Sequence, residues 1–234
     1  MPPKPPSKST GRLIVIEGAD GTGKTTQLSL LNERLRRAGH QVAHYDFPSK
    51  SGSPVGELIG AFLRGEQGEV APEFLALAFS ADRMSRRSQI IDDLTAGRVV
   101  LCDRYVASNI AFQSSKINDA ERREKIKSLV NWFEYSVLEL PMPDLQVVLV
   151  APETHFTKGL HLDRMPDVSR NYTDSADIHE ENLDLQLAVN SFYRSLEPSP
   201  ALRQLEIEQE GVRRTPEELG DLIWELAGET KTET

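Results

Sequence analysis

Residues 17–26 read E-G-A-D-G-T-G-K-T-T and place Gly18, Gly23, Lys24 and Thr25 at the spacing G-x-x-x-x-G-K-[ST]. Glycines let a backbone curl until several N–H groups point inward at one anion. The lysine at the loop's end reaches terminal phosphates, and the hydroxyl after it can complete the shell of a magnesium ion. The flanks supply the context this loop needs. Leu13, Ile14, Val15 and Ile16 form a short unbroken apolar run, as a strand buried on both faces requires. Beyond the loop, Leu28, Leu31 and Leu35 repeat at helical spacing with Gly39 as a stop, so a helix aims its positive end at the same place. The stretch reads as a nucleotide-phosphate loop, formed by Gly18, Ala19, Asp20, Gly21, Thr22, Gly23, Lys24, Thr25 and Thr26, and the remaining chain must fold to present it.

Further strand-like runs cover residues 41–46, 98–103, 145–150 and 204–208, with helical patterns at 73–96, 118–139, 183–196 and 216–227 between and after them. Five strands alternating with helices imply an α/β fold: one parallel sheet with helices on both faces and ligands at the carboxyl ends of the strands. A chain of 234 residues suits one domain, expected over residues 12–228, with tails at 1–11 and 229–234. The first ten residues carry four prolines and no apolar segment, so neither a signal peptide nor a membrane span is expected. A net charge of −9 argues against a surface that coats nucleic acid, though a local arginine cluster could still hold one small anion. The single cysteine, Cys102, lies in an apolar run and reads as core, compatible with a reducing, cytoplasmic setting. Residues 159–181 are polar and aperiodic, either a lid or a disordered insertion.

Three clusters fall near the loop in this topology. Asp103 and Arg104 end a buried strand, where the carboxylate could hold magnesium and the guanidinium could fork onto a phosphate. The bland alternative is a surface ion pair. Phe79 and Arg83 are four apart on one helical face, either a platform and cation for a base with its phosphate or core beside a solvated charge. Phe47, Pro48 and Lys50 form a turn that offers another cation.

Taken together, E-G-A-D-G-T-G-K-T-T-Q, F-P-S-K-S, F-S-A-D-R and D-R-Y-V-A-S-N-I-A-F-Q resemble the thymidylate kinases of the phosphate-loop nucleoside monophosphate kinases, with a weaker fifth stretch, L-E-L-P-M-P-D-L. The order and spacing match from about residue 12 to residue 153. The resemblance implies an enzyme that phosphorylates thymidylate with ATP and Mg2+, and a homodimer. It implies that Asp20 touches the sugar and the attacking phosphate, and that Phe79 stacks on thymine. Arg83, Asn109 and Gln113 would line the base, Ser108 would belong to the thymidylate site, Arg104 would hold the monophosphate, and Tyr105 would sit against the deoxyribose. Thr25 and Asp103 would hold the metal. There are departures. Lys50 and Lys158 stand where the family commonly has arginines, on the acceptor phosphate and the donor adenine respectively, and a lysine cannot make the same planar fork. The polar stretch is about ten residues longer than such a lid, and His179 in D-I-H-E is unusual. Because the loop itself carries no arginine, Arg164 or Arg170 of that stretch is expected to reach the transferring phosphate. Two other readings stay open: a kinase for another pyrimidine deoxynucleotide, such as deoxyuridylate or a modified thymidylate, and a nucleotide-binding homologue with weak catalysis.

Overall fold

A strand covered on both faces has no polar side to show, and β1 (Arg12–Gly18) is apolar and buried from Leu13 to Ile16. The structure is a computed structural model that describes residues 11–49, 53–158 and 182–229. Lys50, Arg164 and Arg170, the polar stretch 159–181 and the tails at 1–10 and 230–234 lie outside the described residues. After β1 the chain runs through α1 (Lys24–Arg37), β2 (Val42–Asp46), α2 (Pro54–Leu63), α3 (Pro72–Thr95), β3 (Val99–Asp103) and α4 (Val106–Ser115). It continues with α5 (Ala120–Asn131), a π-helical turn (Trp132–Val137), β4 (Leu145–Val150), α6 (Glu153–Lys158) and α7 (Leu183–Arg194). It closes with β5 (Leu202–Glu206), a small hairpin of β6 (Glu208–Gln209) and β7 (Val212–Arg213), and α8 (Pro216–Glu229).

The sheet has the order β2-β3-β1-β4-β5, all parallel, as the alternation of elements predicts. Side chains alternate across it. Ile14, Ile16, Leu101 and Val147 pack with α1, α7 and α8 on one face, while Leu13, Val15, Val100 and Cys102 pack with α3, α4 and α5 on the other. The chain leaves β1 toward β2 on one side and reaches β4 on the other, so β1 lies where the strand order reverses. The crevice at that point opens beyond the carboxyl ends of the strands. Register brings the ends together there, with Ile16 opposite Asp103 and Gly18 opposite Leu149.

Some elements differ from the sequence expectation. The last strand of the sheet starts and ends two residues earlier than 204–208. The helix expected over 118–139 begins at Ala120, because the Asp119 side chain accepts from the Arg122 N–H at 2.7 Å, and it loosens into the π-helical turn at Trp132. Helices α2 and α4 were not anticipated. Cys102 is fully buried as expected, and desolvation pushes its thiol pKa well up.

Leu101, fully buried in β3 between β2 and β1, tests the packing. Leu101→Ala should cost about 2–5 kcal/mol, the usual range for emptying a leucine site that cannot collapse. Urea unfolding would measure this as a lower midpoint with an unchanged slope.

Candidate active site

The loop between β1 and α1 depends on glycine. Gly18, Gly21 and Gly23 have φ of +149°, +78° and +98°, and a Cβ at Gly18 would stand 2.6 Å from the Leu149 carbonyl. Among the described residues no side chain caps the first turn of α1, and no acidic residue lies in that turn, which suits an anion at that end. Lys24 is folded over the loop. Its Nζ donates to the Ala19 carbonyl at 2.8 Å and lies 3.8 Å from Asp20, while the Thr22 hydroxyl donates to the same carbonyl at 2.9 Å. Thr25 Oγ1 donates to Asp103 Oδ2 at 3.1 Å. A hydroxyl and a carboxylate beside the loop lysine are the hard oxygens that magnesium takes. The pair fits an ion that would complete its shell with water and phosphate oxygens.

Arg104 follows β3 with φ of +64°, an unusual conformation for a residue with a side chain. Its N–H donates to the Ile16 carbonyl at 3.1 Å, so the turn is tied to β1. That turn sends the guanidinium to the loop, where Nη1 donates to the Gly18 carbonyl at 2.9 Å and to Ser108 Oγ at 3.0 Å, and Nη2 pairs with Asp20. Its Cζ lies 4.9 Å over the Phe112 ring. Burial works against the charge, but Asp20 and the other anionic groups around it leave the Arg104 pKa above the ordinary arginine value. From α7, Gln186 grips Asp20 twice: Oε1 accepts from the Asp20 N–H and Nε2 donates to Oδ2, both at 2.8 Å.

Behind Arg104 stands Glu17, fully buried in β1. It accepts from the Tyr105 N–H at 2.8 Å, from Ser108 Oγ at 2.8 Å and from the Tyr193 hydroxyl at 2.8 Å. Ser108 Oγ thus accepts a hydrogen bond from Arg104 and donates one to Glu17.

Toward α3 the site changes character. Phe79 is half-buried. Arg83 is buried and clasps Glu134 of the π-helical turn through Nε and Nη2, each at 2.5 Å, with its Cζ 5.9 Å over Phe47. Asn109 Nδ2 donates to Glu134 Oε1 at 2.8 Å and to the Ala76 carbonyl at 2.9 Å. Gln113 is buried and accepts from Lys116 at 3.1 Å. The turn carrying Phe47 and Pro48, joined by a cis peptide, is fastened by Asp82, which accepts from the Ser49 N–H at 2.7 Å and from Ser53 Oγ at 2.9 Å. Lys158 is the last residue of α6.

One expected placement is corrected. Tyr105 does not face a cleft: it is fully buried, packs 6.0 Å from Phe47 and donates its hydroxyl to the Pro141 carbonyl at 3.1 Å. The left-handed turn at Arg104 sends that side chain outward and the next one inward, and Phe112, one helical step past Ser108, is the ring that meets the guanidinium. The sequence reading also passed over Glu17, Asp82, Glu134, Gln186 and Tyr193. Only Glu17 carried a signal, an acidic residue closing an otherwise apolar strand. His155 and Arg213 also reach the Gly21 carbonyl, at 3.2 and 3.4 Å.

The profile of the family described as thymidylate kinase matches residues 16–186. The chain belongs to the thymidylate kinase family. It is 37% identical over 139 residues to the thymidylate kinase of Mycobacterium tuberculosis, a match covering 58% of this chain and 64% of that protein. It is 33% identical over 189 residues to the probable thymidylate kinase of Pyrococcus horikoshii, covering 73% and 85%. Against the first of these relatives the chain thus spans less than two thirds of the other protein's length. Among solved structures, the thymidylate kinase of Candida albicans shares the fold, with a TM-score of 0.71 at 24% identity over 94% of this chain and 92% of that one.

Desolvation raises the Glu17 pKa above the usual 4.5, against the lowering effect of Arg104 and the hydrogen bonds from Ser108, Tyr193 and Tyr105. A carboxyl with a raised pKa in the folded state favours folding below its unfolded pKa, and that contribution is lost as pH rises through the folded value. Glu17→Gln removes this dependence. Its melting temperature relative to the unsubstituted protein should therefore move in the variant's favour as pH rises from about 4.5, which calorimetry at several pH values would check.

Proposed function

We propose that this chain transfers the γ-phosphoryl group of ATP to thymidine 5′-monophosphate. The observation that carries the reading is the Asp20 carboxylate, held at once by the loop that would take the donor phosphates, by Arg104 and by Gln186. Phosphoryl transfer needs two anions aligned and their charge offset, with no covalent enzyme intermediate. An oxygen of the acceptor phosphate attacks the γ-phosphorus as the bond to the bridging oxygen breaks, and ADP leaves with those electrons. Lys24 exchanges its Ala19 carbonyl for phosphate oxygens, and Arg104 turns its fork to the acceptor phosphate. Thr25 and Asp103 would hold magnesium, which offsets charge on the donor phosphates when bound. Phe79 supplies the flat apolar face for thymine, with Asn109, Gln113 and Arg83 toward its polar edge. Arg164 and Arg170 are the candidates for further charge compensation at the transferring group.

The test is diphosphate formation from a panel of monophosphates with ATP and magnesium. Thymidylate should be the best acceptor, and adenylate or cytidylate as the best acceptor would overturn the assignment. Lys24→Ala should lower turnover about 10²–10³-fold, the usual cost of removing one preorganised donor.

We also propose that the protein is a homodimer joined along α3. Phe74, Leu77 and Met84 lie along one side of that helix at 70%, 38% and 55% exposure, an apolar stripe that water does not favour. The double change Phe74→Asp and Met84→Asp should convert dimer to monomer in sedimentation equilibrium, whereas an unsubstituted protein that sediments as a monomer would exclude the assembly.

A further inference from the structure

Glu134 is an ionisable group with no solvent exposure, and the transfer chemistry does not call on it. It sits on the π-helical turn Trp132–Val137, where an extra residue per turn re-aims side chains relative to a regular helix. Its two oxygens gather donors from two other elements. From α3 come Arg83 Nε on Oε2 and Nη2 on Oε1, and the Ser80 hydroxyl at 2.9 Å from Oε1. From α4 comes the Asn109 amide nitrogen, 2.8 Å from Oε1.

The consequence falls on Asn109. Both its amide protons face acceptors, since Nδ2 also reaches the Ala76 carbonyl at 2.9 Å and Ser80 Oγ at 3.3 Å. Its Oδ1 is buried and has no hydrogen-bond partner among the described residues. A buried oxygen left unpaired is costly, and such a group calls for a donor from outside the protein. Rotating the amide by half a turn does not relieve it, because Oδ1 would then face the Glu134 carboxylate and the Ala76 carbonyl, acceptor against acceptor.

We infer that Glu134 is a specificity-determining positioning residue: it locks the Asn109 amide with an oxygen that the surrounding side chains leave unpaired, so that the site accepts a pyrimidine whose ring nitrogen carries a proton and refuses one whose ring nitrogen carries a lone pair. The inference rests on the thymidylate reading and deepens it. Thymine and uracil present an N–H at ring position 3, which pairs with Oδ1. Cytosine presents a lone pair there and would leave two acceptors opposed in a buried place. Glu134 touches neither substrate nor reacting atoms and acts through Asn109 and Arg83.

The experiment compares kcat and KM for thymidylate and deoxycytidylate in the unsubstituted protein, in Glu134→Gln and in Glu134→Asp. Glutamine has one acceptor and one donor where the carboxylate has two acceptors. It cannot serve Arg83 through both atoms, and with its nitrogen toward α4 it would turn the Asn109 amide over. The preference for thymidylate in kcat/KM should fall about tenfold or more, since it derives from a buried hydrogen bond. The change should appear in KM, with kcat for thymidylate moving little, because the contact forms equally in the ground and transition states. Should Glu134→Gln fail to fold, Glu134→Asp keeps a countercharge for Arg83 while withdrawing the acceptor from Asn109 by one methylene, and the same fall is expected. A merely structural role would lower activity toward both nucleotides and leave their ratio alone. If the unsubstituted protein phosphorylates thymidylate selectively and a folded variant keeps that ratio, this inference falls and the proposed activity stands. If the unsubstituted protein uses neither nucleotide, both fall.

Discussion

Asp20 is held from three directions, and the geometry of the cleft follows from that. Its backbone is part of the phosphate loop, its carboxylate pairs with Arg104 beyond β3, and Gln186 of α7 binds both its N–H and its side chain. These elements are far apart in sequence and meet only because β1 lies between β3 and β4 in the sheet. An exposed ion pair between such groups would contribute little. Here the pair is mostly buried and backed by hydrogen bonds to Gly18, Ser108 and Gln186, so its geometry is constrained as well as its charge.

The same logic extends behind the cleft through Glu17. A carboxylate in a strand with apolar neighbours is expensive to bury, and the raised pKa records that cost. It is tolerated because four donors converge on it and because the Arg104 charge lies just beyond Ser108. Glu17 thereby links β1, the first turn of α4 and the far end of α7. Gln186, Asn190 and Tyr193 recur at one-face spacing on α7 and bond to Asp20, to the Ala151 backbone and to Glu17 respectively. One helix face therefore fixes the loop, the end of β4 and the support of Arg104 together.

The sheet was legible in the sequence for a physical reason: β1, β3 and β4 are buried on both faces, and such strands read as unbroken apolar runs. The phosphate loop was legible because its conformation admits few residue types. Helix α4 was not, since Ser108, Asn109, Gln113 and Ser114 are buried polar residues that erase the apolar period a helix normally shows. Helix α2 carries glycines, and Gly56 packs so closely against the Ser49 carbonyl that a Cβ would overlap it, a tertiary reason invisible from local pattern. Among site residues, those on the loop and at the end of β3 could be named from motif alone. Tyr105 was misjudged because its direction depends on the sign of one dihedral at Arg104. Glu134 offered no cue, because a π-helical turn breaks the spacing by which a helical face is recognised.

Within the cleft the cations are already satisfied by the protein: Lys24 by the Ala19 carbonyl, Arg104 by Asp20 and Gly18, Arg83 by Glu134. A nucleotide bound as proposed would exchange partners with these groups, and each exchange would yield only the difference between two charge-assisted bonds. The three cases differ in what the exchange requires. Lys24 would give up a neutral carbonyl while Asp20 stays 3.8 Å away, so an anionic phosphate would strengthen that contact. Arg104 faces a carboxylate that Gln186 also holds, so part of its fork can turn to a phosphate while Asp20 stays in place. Arg83 is committed to Glu134 through two atoms in a buried site, and separating that pair would leave an unmatched charge. On the proposed reading, strong exchange is confined to the two cations nearest the transferring group, while the base end keeps its partners and contributes shape and hydrogen-bond polarity. Rigid where it would recognise a base and exchangeable where charge would move, the cleft of the proposed enzyme divides specificity from catalysis along the line between Asn109 and Ser108, neighbours on α4.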